Sequence, residues 1–362
     1  MSERGRSMVS EKAGTDAFAA LSRHRTELMG LSALLILIFH CWIPLFPGHR
    51  IIGGIEAVVK RTGFLGVDAF FFLSGMGLVF AVSKELLPEF YRKRFGRLLP
   101  PYLLVGVLRA ITEQWTPADF LWKVSGAAFL FENIYAFLWF VPGIALLYCF
   151  FPAYARGMRR SGRPMLYTWA GIVLWFVLSR LLFLGGRDNL WGFLDRIPIF
   201  MLGALTGWLG KEKRLRFTGL HYGILAALLV LGVILLNRTL YHNLYLLVPI
   251  SFAFLPAVLI VVPACFLLPA GMDLLERGGG LLCRVTGGVL FCLRIMGMVS
   301  LELYCLQEWM WDKILIAFTG FSYTVIDPAI LLIMTGLAWL MHFLLYYILP
   351  KTVRYFYKIK KV

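Results

Sequence analysis

Charged side chains are scarce in this chain. Asp, Glu, Lys and Arg make up 15% of its 362 residues, against a hydrophobic share of 60% and a mean hydropathy of +0.77. That scarcity excludes a soluble domain of this length, which has no use for so much apolar surface, and leaves a polytopic membrane protein. Carboxylates are scarcer still, 20 against 36 Lys and Arg, for a net charge of +16. The excess does not point to nucleic acid, because the cations stand in short clusters between apolar runs and form no continuous basic stripe. Cysteine is limited to six residues, and Cys41, Cys149, Cys265, Cys292 and Cys305 lie in or beside apolar runs. None has disulfide or metal-ligand spacing, so they read as small hydrophobes and no metal is expected. The first 20 or so residues have no apolar core, so no cleavable signal peptide is expected. The chain shows no internal repeat, and its loops are too short for a soluble domain.

What is present is a series of apolar runs. Ten spans are expected, at 28–46, 64–83, 98–112, 136–155, 165–184, 190–209, 219–236, 244–270, 295–318 and 326–349, each near the ~20 residues that a bilayer core requires. The eighth is long, carries Pro249, Pro256 and Pro263 and should be a kinked or tilted helix. Residues 115–131 read as a surface or re-entrant piece. Alternate loops and tails hold 26 Lys and Arg on one side and 6 on the other. The positive-inside rule then places both termini in the cytoplasm. The expected fold class is therefore all-α, a polytopic membrane protein of about ten transmembrane helices. It has a cytoplasmic tail at 1–27, one transmembrane domain at 28–349 and a basic cytoplasmic tail at 350–362.

Within that topology a few polar groups stand at depth. His40 falls ~18 Å from the cytoplasmic end of the first span, past the midplane. An ionisable group there is a functional candidate by default, although a core hydrogen-bond role weighs about equally. Asp68, about a turn into the second span from outside, lies at a comparable level. It could fix the His40 tautomer and leave the other nitrogen as a base. Arg92, Lys93, Arg94 and Arg97 crowd the mouth of the third span. Guanidinium groups in such a cluster can clamp phosphate oxygens, while an ordinary positive-inside anchor or anionic-lipid contact is the plainer alternative. Ser74 lies among small residues suited to close helix packing. Asp195 and Arg196 form a possible self-neutralising pair. Glu302, Tyr304, Gln307 and Glu308 lie along the ninth span, with Tyr304 and Glu308 on one face.

These residues fall into ordered motifs: Gly66-Val67-Asp68-Ala69-Phe70-Phe71-Phe72-Leu73-Ser74-Gly75, Arg94-Phe95-Gly96-Arg97 followed by Pro100-Pro101-Tyr102, Leu138-Trp139 with Tyr148 and Pro152, Arg196 to Gly203, and Ser300 to Tyr304. Together with His40 in the first span, they make the chain resemble the acyltransferase 3 family of integral membrane acyltransferases over nearly its whole length. The resemblance implies transfer of an acyl group, often acetyl, from cytoplasmic acyl-coenzyme A. The acceptor it implies is a hydroxyl of an envelope or exported carbohydrate or of a lipid-linked glycan. It implies His40 as the base with Asp68 beside it, and Arg94 and Arg97, with Arg92 and Tyr102 in the same cluster, at the donor phosphates. Ser74, Trp139, Arg196, Glu302, Tyr304 and Glu308 take supporting or substrate-binding places.

The chain departs from the family pattern at three points. Met29 stands where the first-span Arg is expected, Ile144 and Ala145 where a carboxylate often follows the fourth-span Trp, and Gln307 where a His is common. Arg25 is the expected substitute for the missing cation, one helical turn earlier. Membrane lipid, acyl-coenzyme A and a glycan are the expected partners, and a bacterial plasma membrane the expected location. A transporter or flippase of a lipid-linked glycan, or an inactive partner subunit in glycan assembly, are the competing readings.

Overall fold

The computed structural model describes residues 14–40, 46, 48–132, 137–186, 188–242, 254–317 and 323–349. The far end of the expected first span and the start of the eighth, together with the tail at 350–362 and the first half of the tail at 1–27, lie outside them. Almost everything described is helical. A two-residue strand β1 (Thr15–Asp16) pairs antiparallel with β2 (Arg216–Phe217).

In chain order the helices are α1 (Ala17–Arg23), α2 (Arg25–Phe39), α3 (Arg50–Thr62), α4 (Leu65–Lys84), α5 (Leu87–Thr112), α6 (Pro117–Val124), α7 (Ala127–Phe131), α8 (Phe140–Arg160), α9 (Pro164–Leu184), α10 (Trp191–Leu194), α11 (Arg196–Lys211), α12 (Gly219–His242), α13 (Phe254–Arg277), α14 (Gly280–Met298), α15 (Ser300–Ala317) and α16 (Tyr323–Phe343). Six of them, α4, α9, α12, α13, α14 and α16, are long and apolar enough to cross a membrane. The fold is an all-α one, with several helices fit to span a bilayer.

Helix α4 is the hub. Its apolar window is 72% buried, against 17% for α9 and 11% for α12, so α4 is enclosed by protein while the other two present their sides outward, as lipid-facing helices do. What lets α4 sit so deep is its contact with α11. Gly203 and Gly207, one GxxxG pair, rest on the Phe72 and Met76 backbone, and Gly75 returns the contact against Phe200. Without Cβ atoms the two backbones meet directly, which is how helices associate where lipid removes the hydrophobic drive. The flanks of α4 are closed by Phe70, Phe71 and Phe72, the last two fully buried.

Several expectations are corrected. The helix of the third span starts ahead of residue 98. Helix α5 runs unbroken from Leu87 through Pro100 and Pro101 to Thr112. A proline removes the hydrogen bond to the carbonyl four residues back, and the carbonyl freed by Pro101 is that of Arg97. The Tyr346 hydroxyl donates to it at 2.9 Å, so the helix continues at little cost, carrying Arg94 and Arg97 on regular helical geometry. The described part of the eighth span, α13, is one helix with Pro263 and Pro269 inside it.

Two expected loops contain helices. Residues 47–63 hold α3, which is amphipathic, has no buried residue, and exposes Ile51, Ile52, Ile55 and Val58. That is the form of a helix lying in a membrane interface. The stretch 272–294 is mostly α14. Both its ends are tied to the same end of the bundle: Cys283 Sγ to the Glu276 carbonyl at 3.4 Å, Arg294 to Glu27, and the Met298 carbonyl to Arg97 at 3.1 Å. The segment 115–131 forms α6 and α7, the first opened by a capping box in which Thr116 and Asp119 bond each other's amides at 3.1 Å.

Candidate active site

His40 terminates α2. Its Nδ1 lies 2.8 Å from the Ile36 carbonyl, one turn back on its own helix. A carbonyl only accepts, so Nδ1 carries the proton, and Nε2 keeps its lone pair with no partner among the described residues. The tautomer expected from Asp68 is thus set by the backbone of α2 itself. The ring is half-buried and meets Phe39 edge-on at 5.3 Å.

Asp68 is buried and lies elsewhere. Its Oδ2 is 3.6 Å from Arg196 Nη2. Arg196 in turn donates to the Gly192 carbonyl and stacks its guanidinium over Trp139, 5.2 Å from the ring centroid. The expected partner of Asp68, His40, is therefore replaced by Arg196. The expected Asp195–Arg196 pair gives way to an interhelical one across the glycine contact of α4 and α11. With no Cβ between the backbones, these two charged side chains reach each other at the first turns of α4 and α11.

The carboxylate on the His40 side is Glu308, which lies within electrostatic reach of His40. Arg109 Nη1 stands 3.5 Å from its Oε1, and Arg109 is itself fixed by Glu113 at 2.8 Å. Tyr304, one turn before Glu308 on the same face of α15, accepts the Phe140 amide at 3.2 Å and packs against that ring.

At the other end of α2 lies a cavity of about 310 Å³, lined among others by Met29, Ser74, Arg94, Arg97, Ile144 and Tyr148. A second, of about 330 Å³, shares Ser74, Arg94 and Tyr148 with it and adds Arg25 and Lys84. Two of the family departures, Met29 and Ile144, line the first cavity, and Arg25 faces the second. Ser74 and Tyr148 both line it from facing helices. Arg25 reaches only the Leu73 carbonyl, at 3.4 Å, and pairs with no carboxylate among the described residues. Arg94 has one carboxylate neighbour there, Glu85 at 3.9 Å, which Lys93 already holds at 3.0 Å. The Nε atoms of Arg25 and Arg94 are buried without a partner. Two guanidinium groups turned into a cavity with spare donors form a site for an anion.

Arg97 behaves differently. It holds Glu302 through both carboxylate oxygens, at 2.6 and 3.0 Å, and lies 5.0 Å over the Tyr346 ring. Glu302 is fully buried and also meets His342 Nδ1 at 2.7 Å. The phosphate-clamp place expected for Arg97 is therefore already occupied by an internal carboxylate, which a buried Glu302 needs for its own neutralisation. Tyr102 is corrected in the same way: its hydroxyl donates to the Lys123 and Val124 carbonyls at 3.3 and 3.1 Å and closes the end of α6. Arg92 is exposed and lines neither cavity. Tyr148 stood in a sequence motif but not among the expected site residues, and Arg109 and His342 had no motif at all. The groups they serve at the site, Ser74, Glu308 and Glu302, lie on other helices far away in the chain, so spacing carried no signal.

His24, Asp273 and Glu276 bring three potential metal-ligand atoms within 4.8 Å of one another. A metal would compete there with Arg23, whose Nη1 is 2.7 Å from Asp273 Oδ1, the oxygen that His24 Nε2 also meets at 2.8 Å. Filled by these two donors, the cluster fits an internal ion-pair network better than a cation.

No curated protein and no solved structure matches this chain. A family model described as an acyltransferase domain, that of the acyltransferase 3 family, matches residues 28–349. That range contains His40, every motif from Gly66 to Tyr304 and the lining of both cavities except Thr26 and Arg25, and reaches nearly from one end of the described helices to the other. The chain therefore belongs to the acyltransferase 3 family and is a multi-pass membrane acyltransferase.

Proposed function

We propose that this protein transfers an acyl group, acetyl as the first choice, from cytoplasmic acyl-coenzyme A to a hydroxyl of a cell-envelope or exported carbohydrate. The observation that carries the reading is the division of labour along α2. A cavity with two partly unpaired guanidinium groups lies beside its first turns, and an imidazole with a free Nε2 ends its last. The basic end faces the cytoplasm in the positive-inside orientation, where acyl-coenzyme A is made, and a bacterial plasma membrane is the setting that fits.

In this reading Arg25 and Arg94 hold donor phosphates, with Ser74 and Tyr148 beside them, and Arg25 does the work of the cation missing at Met29. His40 Nε2 takes the proton of the acceptor hydroxyl as its oxygen attacks the thioester carbonyl. The carbon–sulfur bond breaks, the coenzyme A thiolate leaves, and the imidazolium returns the proton to it. Glu308, fixed by Arg109, stabilises the imidazolium that forms in between. Asp68 and Arg97 act on position: one locks Arg196 and Trp139, the other locks Glu302.

The test is coenzyme A release from labelled acetyl-coenzyme A by the purified protein in nanodiscs, with and without a glycan extract. Acceptor-dependent release that disappears in His40→Ala supports the reading, whereas undiminished release in that variant removes His40 as the base. Absence of donor binding to the wild type would overturn the transferase assignment of this site.

A further inference from the structure

A third cavity, of about 300 Å³, opens between α4, α5, α8 and α11. Arg156, Arg159 and Arg160 from the end of α8 and Lys211 from the end of α11 line it. None of the four is in an ion pair among the described residues. Trp208 stands in its wall with an indole Nε1 that is buried and unpartnered. The one carboxylate in the lining, Glu85, is already held by Lys93 at 3.0 Å. Glu85 also lines the Arg25–Arg94 cavity, so the two spaces adjoin at this residue.

Four unpaired cations converging on one recess exceed what a helix end needs for anchoring, and a flat anchor has no reason to enclose an unpartnered indole N–H. The recess is suited to a ligand that brings more than one phosphate oxygen and a planar ring. Resting on the donor reading above, we infer that the 3′-phosphate-bearing nucleotide end of the acyl-coenzyme A docks in this cavity. The adenine lies against Trp208, the 3′-phosphate among Arg159, Arg160 and Lys211, and the diphosphate passes Glu85 toward Arg25 and Arg94. The thioester arm then enters between α2 and α8. A lipid phosphate headgroup offers the same chemistry to the cations but no ring for Trp208.

The experiment compares binding of coenzyme A and dephospho-coenzyme A, which lacks only the 3′-phosphate, to full-length protein in phosphatidylcholine nanodiscs by calorimetry. Wild type should prefer coenzyme A by on the order of tenfold or more, the scale of charge-assisted bonds to one phosphate. Arg159→Gln/Arg160→Gln/Lys211→Gln should lose that preference while binding dephospho-coenzyme A as the wild type does. The single reversal Lys211→Glu should move in the same direction, which covers the case of a triple variant that folds poorly. A preference retained by both variants overturns the inference. So does release of a co-purifying anionic lipid by the variants with their nucleotide binding unchanged, which would assign the cavity to a headgroup. Equal binding of the two nucleotides by wild type overturns this site alone, whereas no binding of either overturns the donor reading with it.

Discussion

At the scale of single residues, three arginines that look alike in sequence have three different jobs. Arg94 has spare donors in a cavity, Arg97 neutralises a buried carboxylate, and Arg196 does the same for Asp68 from another helix. Their substitutions should separate cleanly. Arg94→Gln should leave thermal stability near wild type and raise the donor KM by on the order of tenfold or more, since only a ligand bond is lost. Arg97→Gln strands Glu302 in the core and should cost about 3–5 kcal/mol, read as a large fall in melting temperature in detergent. Adding Glu302→Gln to Arg97→Gln should recover much of it, because the uncompensated charge is gone. If Arg97→Gln instead raised KM at unchanged melting temperature, its place at the donor phosphates would be restored. The histidine is legible in sequence because its type and depth are unusual. Its tautomer is not, because the acceptor is a backbone carbonyl that every helix offers.

At the scale of elements, close helix contacts decide where charges meet. The GxxxG pair Gly203–Gly207 was present in the sequence as plain spacing, yet its partner face on α4 follows from three-dimensional approach. Gly207→Leu should force α11 off the Met76 backbone, separate Asp68 from Arg196, and lower both melting temperature and activity. A fully active, equally stable variant would remove this contact from the account. A pH effect belongs to α6. Bonds from the Thr116 hydroxyl and amide hold the Asp119 carboxyl below the usual carboxylate range. A depressed folded value means that the cap's stabilisation is complete above the unfolded carboxylate range and disappears as pH falls through the lower, folded value. Protection of the Ala118, Asp119 and Phe120 amides, measured against the intrinsic exchange rate at each pH, should accordingly be constant from neutral pH to about pH 5 and fall specifically in acid, by comparison with Asp119→Asn. Exchange that rose steadily through neutral pH beyond its intrinsic base catalysis would contradict the cap.

At the scale of the whole molecule, the charge asymmetry of the loops predicts an orientation that labelling can test. A single cysteine placed at Arg160 should react with an impermeant reagent only from the cytoplasmic side, and one at Lys60 only from the outer side. Reversed labelling would place the basic cavities away from any acyl-coenzyme A. Helices α3 and α14 qualify the simple count of spans. The first is amphipathic and exposed, and the second is apolar but anchored at both ends to one end of the bundle, so neither behaves as the loop that polarity and spacing suggested.

The sequence by itself determined the class of the protein, the order and positions of most helices, the family and the residue types at its site. These depend on composition and local periodicity, which a chain carries whether or not it is folded. Tertiary structure alone decided which charge pairs with which. Asp68 finds Arg196 rather than His40, Glu302 takes Arg97, and Glu308, paired with Arg109, lies within electrostatic reach of His40. Each pairing joins helices distant in the chain. In a medium that penalises any uncompensated charge, the partner is whichever opposite group close helix packing brings near, and no spacing along a single helix encodes that.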